Sequence, residues 1–202
     1  MTGWPFGALN MFGYDLIMAD PPWSFATWSA KGHGKAPQAH YGVMALDAIK
    51  ALPVSHLARG DALLWLWATH PMLPEALGVM AAWGARFVTS GVWVKKTSTG
   101  KLAFGTGYRL RSASEPFLIG TWGNPETVPV VRTAIEGRAR EHSRKPEEAF
   151  AEAERMMPRA FRCELFSRTS RPGWDAWGDE AGKFDPGAED VAAGGASDRS
   201  AA

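Results

Sequence analysis

Cysteine is almost absent from this sequence, and it has no long apolar run. The 202 residues contain one cysteine, Cys163, so neither an internal disulfide nor a cysteine-based zinc site can form within one chain. No stretch approaches the roughly 20 apolar residues that a membrane-spanning helix needs. The first residues also lack the basic and apolar regions of a signal peptide. We therefore expect a cytoplasmic protein with no membrane association.

The net charge is also close to zero, but the charged residues are unevenly distributed along the chain. The chain carries 22 basic and 21 acidic residues. Residues 1–94 balance at zero, residues 95–171 carry fifteen basic against nine acidic side chains, and the segment from 172 onward is net negative. A local basic face can bind phosphate groups because the attraction acts over about 10 Å rather than over the whole molecule. A solvated basic face without a partner explains the pattern equally well.

The chain alternates between strand-like and helix-like patterns, which predicts an α/β sandwich with a mostly parallel sheet. Ligands bind such sheets at the carboxyl ends of the strands, where Asp20 and Ser167 are expected to lie. Long polar segments at 24–41 and 95–108 predict loops. The expected strands are Tyr14–Ala19, Ala62–Ala68, Arg86–Val94, Pro116–Thr121 and Phe161–Ser167, with a β-branched run at Val128–Ile135, and the expected helices are Leu46–Leu52, Pro71–Trp83 and about 146–157.

The length fits one folded domain, predicted to span residues 1–180. Tryptophans at 65, 67, 83 and 93 fall in predicted strands and helices, so we expect them in the core. From Ala181 to Ala202, glycine, alanine, aspartate and serine predominate, a composition typical of a disordered tail.

Asp20-Pro21-Pro22-Trp23 follows the first predicted strand, and this order of residues arises by chance in about one chain per thousand. Met18–Trp23 resembles the signature of adenine-N6 methyltransferases of the mRNA-adenosine type and of their bacterial and phage DNA-adenine relatives. Further segments follow that family's order, so that the resemblance covers about residues 12–180. They are Gly107–Arg111 with Ser114-Glu115, His142–Glu148, Glu164–Arg168, Pro172–Trp174 and Trp177-Gly178.

The resemblance implies a Rossmann-like methyltransferase sandwich with a permuted motif order, and S-adenosylmethionine as cofactor. It places the catalytic centre at Asp20, Pro21, Pro22 and Trp23. Adenine's amine is a weak nucleophile because its lone pair is delocalised into the ring. The Asp20 carboxylate and the Pro21 carbonyl are expected to accept both N–H bonds, and Trp23 is expected to stack on an extruded base. No metal ion is required.

The resemblance also implies a cofactor site and a nucleic-acid path. Lys145 matches the family's cofactor-contacting lysine, although a plain helix-capping segment is the alternative. Arg168 is expected to contact the ribose or the carboxylate of the cofactor. The expected cofactor residues are Asp20, Lys145, Ser167, Arg168, Asp179 and Glu180, and the expected substrate residues are Trp23, Lys95, Lys96, Arg109 and Arg111.

Three functional hypotheses follow. The first is methylation of adenine N6 in DNA, and the second is the same reaction on RNA. The third is a non-catalytic nucleic-acid-binding subunit of the same fold, whose usual mark is a broken Asp-Pro-Pro-Trp motif; here the motif is intact. The chain is too short for a separate target-recognition domain, so specificity is expected to come from the two loops or from a partner subunit, and a homodimer is also possible.

Overall fold

The fold is built on one seven-stranded sheet. The computed structural model describes residues 3–23, 44–107, 109–140 and 144–185. Across the sheet the strand order is β5-β3-β4-β2-β1-β6-β7. The strands are β1 (Tyr14–Ala19), β2 (Ala58–Trp67), β3 (Arg86–Lys96), β4 (Ser114–Trp122), β5 (Ala134–Arg138), β6 (Arg162–Leu165) and β7 (Trp174–Trp177).

The strand directions bring together the carboxyl ends where the sequence predicted Asp20 and Ser167. β1 pairs in parallel with both β2 and β6, β6 with β7, and β3 with β5. β4 runs antiparallel to its neighbours β2 and β3. The predicted Rossmann-like α/β fold with a mostly parallel sheet is confirmed. The carboxyl ends of β1 and β6 therefore lie side by side at one edge.

Helices cover both faces of the sheet. They are α1 (Leu46–Lys50), α2 (Leu73–Ala82) and α3 (Glu147–Met156), with short 3₁₀ turns at Val54–Leu57 and His70–Met72. None of the helices in the described residues is long and apolar enough to cross a membrane.

Two hydrophobic cores form because successive side chains of a strand point to opposite faces. On β2, Leu64 and Leu66 pack in the core that includes α1 and α2, whereas Trp65 and Trp67 pack in the core that includes α3. All four tryptophans expected in the core are buried, as the sequence predicted. Both faces of β2 are buried, as its nearly continuous apolar run requires.

The observed elements differ from the expected ones mainly in the second half of the chain. The fifth strand is Ala134–Arg138, so the β-branched run from Val128 is mostly irregular. The segment after Arg168, where no strand was expected, holds β7. Residues 181–185, expected in the tail, form turns, and residues 186–202 lie outside the described part of the chain. So do residues 24–43, which include the whole of the first predicted loop.

Candidate active site

The Asp-Pro-Pro-Trp segment leaves the sheet where β1 meets β6. Asp20 directly follows β1, and its backbone N–H donates to the Leu165 carbonyl at 3.3 Å. Pro21 and Pro22 cannot continue a hydrogen-bonded ladder, so the strand ends here. This geometry holds the Asp20 backbone at the junction of two parallel strands.

Four side chains of alternating charge form a row that begins at Asp20 and ends at Lys95. Lys145 Nζ lies 2.6 Å from Asp20 Oδ2 and 2.8 Å from Glu115 Oε1. Glu115 Oε2 lies 2.7 Å from Lys95 Nζ. The Lys145 side chain is 5% exposed, whereas the side chains of Asp20 and Lys95, at the two ends of the row, are 20% and 24% exposed. A buried ammonium between two carboxylates stays charged only because both of them neutralise it.

The pKa values in this row of charges reflect burial and mutual pairing. Burial raises the pKa of the Asp20 carboxyl, and Lys145 opposes that rise. Burial acts in the same direction on Glu115, but Lys145 and Lys95 together outweigh it and hold the pKa of Glu115 below its usual range. Burial lowers the pKa of Lys145, yet Asp20 and Glu115 more than compensate and raise it. The raised pKa favours the charged form of Lys145, which holds one oxygen of Asp20 in place.

Packing delivers Lys145 to this position. It lies two residues before α3, whose first turn carries Glu147 and Glu148. Gly137 of β5 allows this segment to approach the sheet, because a Cβ there would lie 2.7 Å from Pro146 Cβ. Lys145 Nζ also lies 5.5 Å from the centre of the Trp67 ring. The aromatic face and the two carboxylates together fix the ammonium.

Trp23 is a buried side chain. It is 5% exposed, and its indole N–H donates to the Trp67 carbonyl at 3.1 Å. The stacking role expected for Trp23 does not agree with this position, since the ring packs in the hydrophobic core. Trp23 instead fastens the Asp-Pro-Pro segment to the end of β2.

A pocket opens beside Asp20, between the loop after β6 and the start of α3. Its walls combine two carboxylates, five cationic side chains and two phenylalanines with one threonine. The lining residues are Asp20, Arg140, Arg144, Lys145, Phe150, Glu164, Phe166, Arg168, Thr169 and Arg171.

Glu164 is the second carboxylate of the pocket. It is 9% exposed, and burial raises its pKa to about 7, although the hydrogen bond from Ser167 acts in the opposite direction. Ser167 Oγ donates to Glu164 Oε2 at 2.7 Å and lies 2.9 Å from the Thr169 carbonyl. Ser167 is buried and does not line the pocket. The Ser167 hydroxyl was expected to contact a cofactor. In the structure it instead donates a hydrogen bond to Glu164.

Arg168 projects into the pocket from the loop after β6. Its Nε lies 2.7 Å from Glu180 Oε2. Glu180 does not line the pocket but holds a residue that does. Asp179 is exposed and does not line the pocket either.

Glu147, in the first turn of α3, joins two arginines of the pocket wall. Arg140 Nη1 donates to Glu147 Oε1 at 2.8 Å, and Arg171 Nη1 donates to Glu147 Oε2. Burial acts to raise the pKa of Glu147, but these two arginines outweigh it and lower the pKa. The guanidinium of Arg171 also lies 3.7 Å from the centre of the Phe150 ring. The first turn of α3 therefore fixes this wall.

Comparison with known proteins identifies the family. The MT-A70 family profile matches residues 14–180. The chain belongs to the MT-A70 family. A similar protein from Arabidopsis thaliana, named N(6)-adenosine-methyltransferase MT-A70-like, is 36% identical over 177 residues, which is 85% of this chain and 24% of that protein.

Two other MT-A70 relatives are more distant. The N6-methyladenosine RNA methyltransferase MTA1 of Cryphonectria parasitica is 28% identical over 85% of this chain and 52% of that protein. The human N(6)-adenosine-methyltransferase catalytic subunit METTL3 is 28% identical over 83% of this chain and 28% of that protein. This chain spans between about a quarter and a half of the length of these relatives.

The basic residues expected to bind nucleic acid differ in their partners and exposure in this MT-A70 chain. Lys95 belongs to the row of charges, and Lys96 Nζ instead lies 2.9 Å from Glu136 Oε1. Arg109 and Arg111 are exposed in the segment between β3 and β4. The Arg111 guanidinium lies 5.3 Å from the centre of the Phe104 ring, which is 80% exposed. An exposed aromatic ring beside a cation is suited to stacking with unpaired bases.

Sequence reasoning did not include Glu115 and Glu164 among the site residues. Each is a lone carboxylate inside an apolar strand, in the segments SEPFLIG and RCELF. Buried carboxylates require partners, so this pattern was a usable signal. Arg140 and Arg171 carry no comparable signal, because exposed arginines are common. In the part of the chain that the structure describes, no three His, Cys, Asp or Glu side chains come together to hold a metal ion.

Proposed function

We propose that this MT-A70 chain transfers a methyl group from S-adenosylmethionine to the N6 amine of adenine in RNA. The observation that supports this most is the intact Asp-Pro-Pro-Trp segment, which directly follows β1 and whose Asp20 is paired with the buried Lys145. A chain that only binds nucleic acid has no need for a buried charge network behind this one carboxylate.

The side chains of the site have complementary tasks. Lys145 occupies Asp20 Oδ2 and leaves Oδ1 to accept an N–H bond from the adenine amine. The Pro21 carbonyl already accepts the Trp23 N–H at 2.8 Å, and its second lone pair can accept the other amine N–H. Two acceptors draw the nitrogen lone pair out of conjugation with the ring, which increases its nucleophilicity. Asp20 would orient the amine before transfer, and the proton that the methylated nitrogen must then lose would pass to solvent.

The pocket beside Asp20 fits S-adenosylmethionine by the chemistry of its side chains. The cofactor carries an ammonium, a sulfonium and a carboxylate. Asp20 and Glu164 would hold the cationic groups, whereas Lys145 and Arg168 would hold the carboxylate and the ribose edge. When bound, the cofactor supplies an electrophilic methyl group. The position of the pocket next to Asp20 would place that group near the amine that Asp20 orients.

RNA is a better candidate substrate than DNA. The hypothesis of a DNA substrate was based on the compact chain and its intact motif. The names of the similar proteins from Arabidopsis thaliana, Cryphonectria parasitica and humans refer instead to adenosine or to RNA. Arg109, Arg111 and Phe104 would contact the nucleic acid outside the pocket, since they lie exposed in one segment. A single-stranded substrate avoids the cost of extruding the base.

A partner subunit is part of the proposal. The human relative is named a catalytic subunit, and this chain matches only 28% of its length. A second chain would extend the nucleic-acid surface beyond the segment that carries Arg109 and Arg111. Light scattering after co-expression with candidate subunits, compared with the chain alone, measures whether a stable complex forms.

The experiment that tests the reaction offers labelled S-adenosylmethionine with total RNA and with unmethylated genomic DNA, followed by nucleoside mass spectrometry. N6-methyladenosine in the RNA supports the proposal, and methylated adenine in the DNA alone supports the DNA reading. No label in either pool, with cofactor binding intact by calorimetry, indicates a missing partner. No cofactor binding indicates the non-catalytic subunit.

A further inference from the structure

The segment after β7 returns to the pocket as a strap, which we define as residues 178–185. Turn hydrogen bonds shape it: Ala181 N donates to Gly178 O at 3.2 Å, and Lys183 N donates to Glu180 O at 3.0 Å. This strap extends past residue 180, where the match to the MT-A70 profile ends. Its last residues are therefore a feature of this chain that the family match does not cover.

The end of the strap is bonded to the loop after β6. Phe184 N donates to the Arg168 carbonyl at 3.0 Å, and Ser170 N donates to Asp185 Oδ1 at 2.6 Å. Because both bonds go to the loop that carries Arg168, the strap and this wall of the pocket are held together.

Phe184 contacts two of the cations that line the pocket. The Arg168 guanidinium lies 4.8 Å from the centre of the half-buried Phe184 ring, and the Arg144 guanidinium lies 5.2 Å from it. Glu180 of the same strap pairs with Arg168 Nε. A flat guanidinium on an aromatic face loses rotational freedom, so its orientation is fixed before a ligand binds.

We propose that Phe184 is a positioning residue of this pocket, where it fixes Arg168 and Arg144 for a ligand that carries a free carboxylate, such as the amino-acid end of an adenosyl cofactor. The inference rests on the proposed function, which assigns the pocket to that cofactor. Phe184 acts through the two arginines and does not itself contact the reacting atoms. Its loss affects ligands with a carboxylate more than ligands without one.

The test compares two ligands by calorimetry on the full chain. S-adenosylhomocysteine carries the amino-acid carboxylate, whereas 5′-methylthioadenosine keeps the nucleoside and the sulfur but lacks it. Phe184→Ala is expected to weaken binding of the first about tenfold, because the arginines are no longer preorganised, and binding of the second less than about twofold. Phe184→Tyr keeps the aromatic face and is expected to bind both ligands as the wild type does.

Phe161→Ala is the matched control. Phe161 also lies beneath an arginine, Arg59, at 4.8 Å, but it precedes β6 and is therefore at the opposite end of that strand from the pocket. It is expected to change neither affinity. Thermal unfolding without ligand shows whether each variant is folded.

The outcomes separate the inference from the proposed function. If Phe184→Ala leaves both affinities unchanged, or weakens both equally, the positioning role is wrong while the cofactor assignment stands. If the wild-type chain binds neither ligand, the proposed function fails and the inference fails with it. A selective loss for S-adenosylhomocysteine that Phe184→Tyr restores supports the inference.

Discussion

At the scale of single residues, Lys145 is the charged partner that opposes the effect of burial on Asp20. It lies between Asp20 and Glu115, and Lys95 completes the row, so two cations balance two carboxylates. Removing one buried partner leaves an uncompensated charge, which costs far more than loss of an exposed pair. We therefore expect the same row of residues to affect both stability and methyl transfer.

Lys145→Met is expected to reduce the free energy of unfolding by about 3–5 kcal/mol, because Asp20 and Glu115 would face each other without their shared cation. The variant should also lose methyl transfer. Urea unfolding at pH 7 measures the stability change. Lys96→Met is the control: its partner Glu136 is 66% exposed, so its loss is expected to cost less than about 1 kcal/mol. Equal effects of the two substitutions would contradict this account.

The raised pKa of Glu164 predicts that the free energy of unfolding depends on pH. Burial raises its pKa from 4.5 to about 7, so between these values the folded chain holds a proton that the unfolded chain releases. Stability contributed by this group therefore falls as pH rises from about 4.5 to 7, by about 3 kcal/mol in total, and is constant above that range.

Glu164→Gln removes the titrating group and keeps an acceptor for Ser167. Compared with the wild type, it is expected to gain stability at pH 8 relative to pH 5, as measured by urea unfolding at both pH values. Glu126→Gln, at a 91% exposed position, is expected to follow the wild-type profile. Parallel profiles for wild type and Glu164→Gln would show that Glu164 titrates normally.

At the scale of helices and strands, the sequence predicted the elements that carry strong local patterns. The buried runs of β1, β2 and β4 and the Pro-Glu-Glu start of α3 lie close to where they were expected. β5 and β7 were missed because non-local pairing with β3 and β6 defines them. The turn residues Pro172 and Gly173 also obscured the four-residue β7.

Among the site residues, too, local sequence patterns predicted some positions, whereas others depend on non-local packing. Asp20 and Lys145 were expected from the sequence and meet in the fold, although 125 positions separate them. The surroundings of Trp23, Lys95 and Ser167 depend on how the elements pack, so their burial and partners were not visible in the sequence. Phe184 was outside any recognised motif.

Gly178 links β7 to the pocket at close range. A Cβ there would lie 2.8 Å from both the N and the O of Ser167 and 2.9 Å from Phe166 C. Gly178→Ala is therefore expected to displace β7 and the strap, to destabilise the fold by about 1–3 kcal/mol and to weaken binding of S-adenosylhomocysteine. Gly3→Ala, where a Cβ meets nothing within 4 Å, is the control for thermal unfolding and calorimetry. A stable Gly178→Ala variant with normal binding would contradict the close contact.

At the scale of the whole molecule, a net charge of +1 conceals a strongly basic middle region. Three of its fifteen cations, Lys95, Lys145 and Arg168, pair with glutamates and contribute little to the exposed basic surface. The exposed segment with Arg109 and Arg111 is where nucleic acid is expected to bind.

Arg111→Ala is expected to weaken binding of single-stranded RNA and to lower the slope of log affinity against log salt by about 0.7, the value for one phosphate contact. Fluorescence anisotropy over a salt series measures both. Arg159→Ala is the matched control, because Arg159 is 88% exposed and follows α3 at the opposite end of β6 from the pocket. An unchanged slope for Arg111→Ala would remove this residue from the interface.

The central claim is that Asp20 orients the amine that receives the methyl group. Mass spectrometry of N6-methyladenosine, formed in RNA by the wild type, by Asp20→Ala and by Asp15→Ala, tests it most directly. Asp15 lies on the same strand but pairs with Arg59, so its variant should retain activity. The account predicts that Asp20→Ala loses at least about 100-fold in rate. N6-methyladenosine formed by Asp20→Ala at the wild-type rate would contradict it.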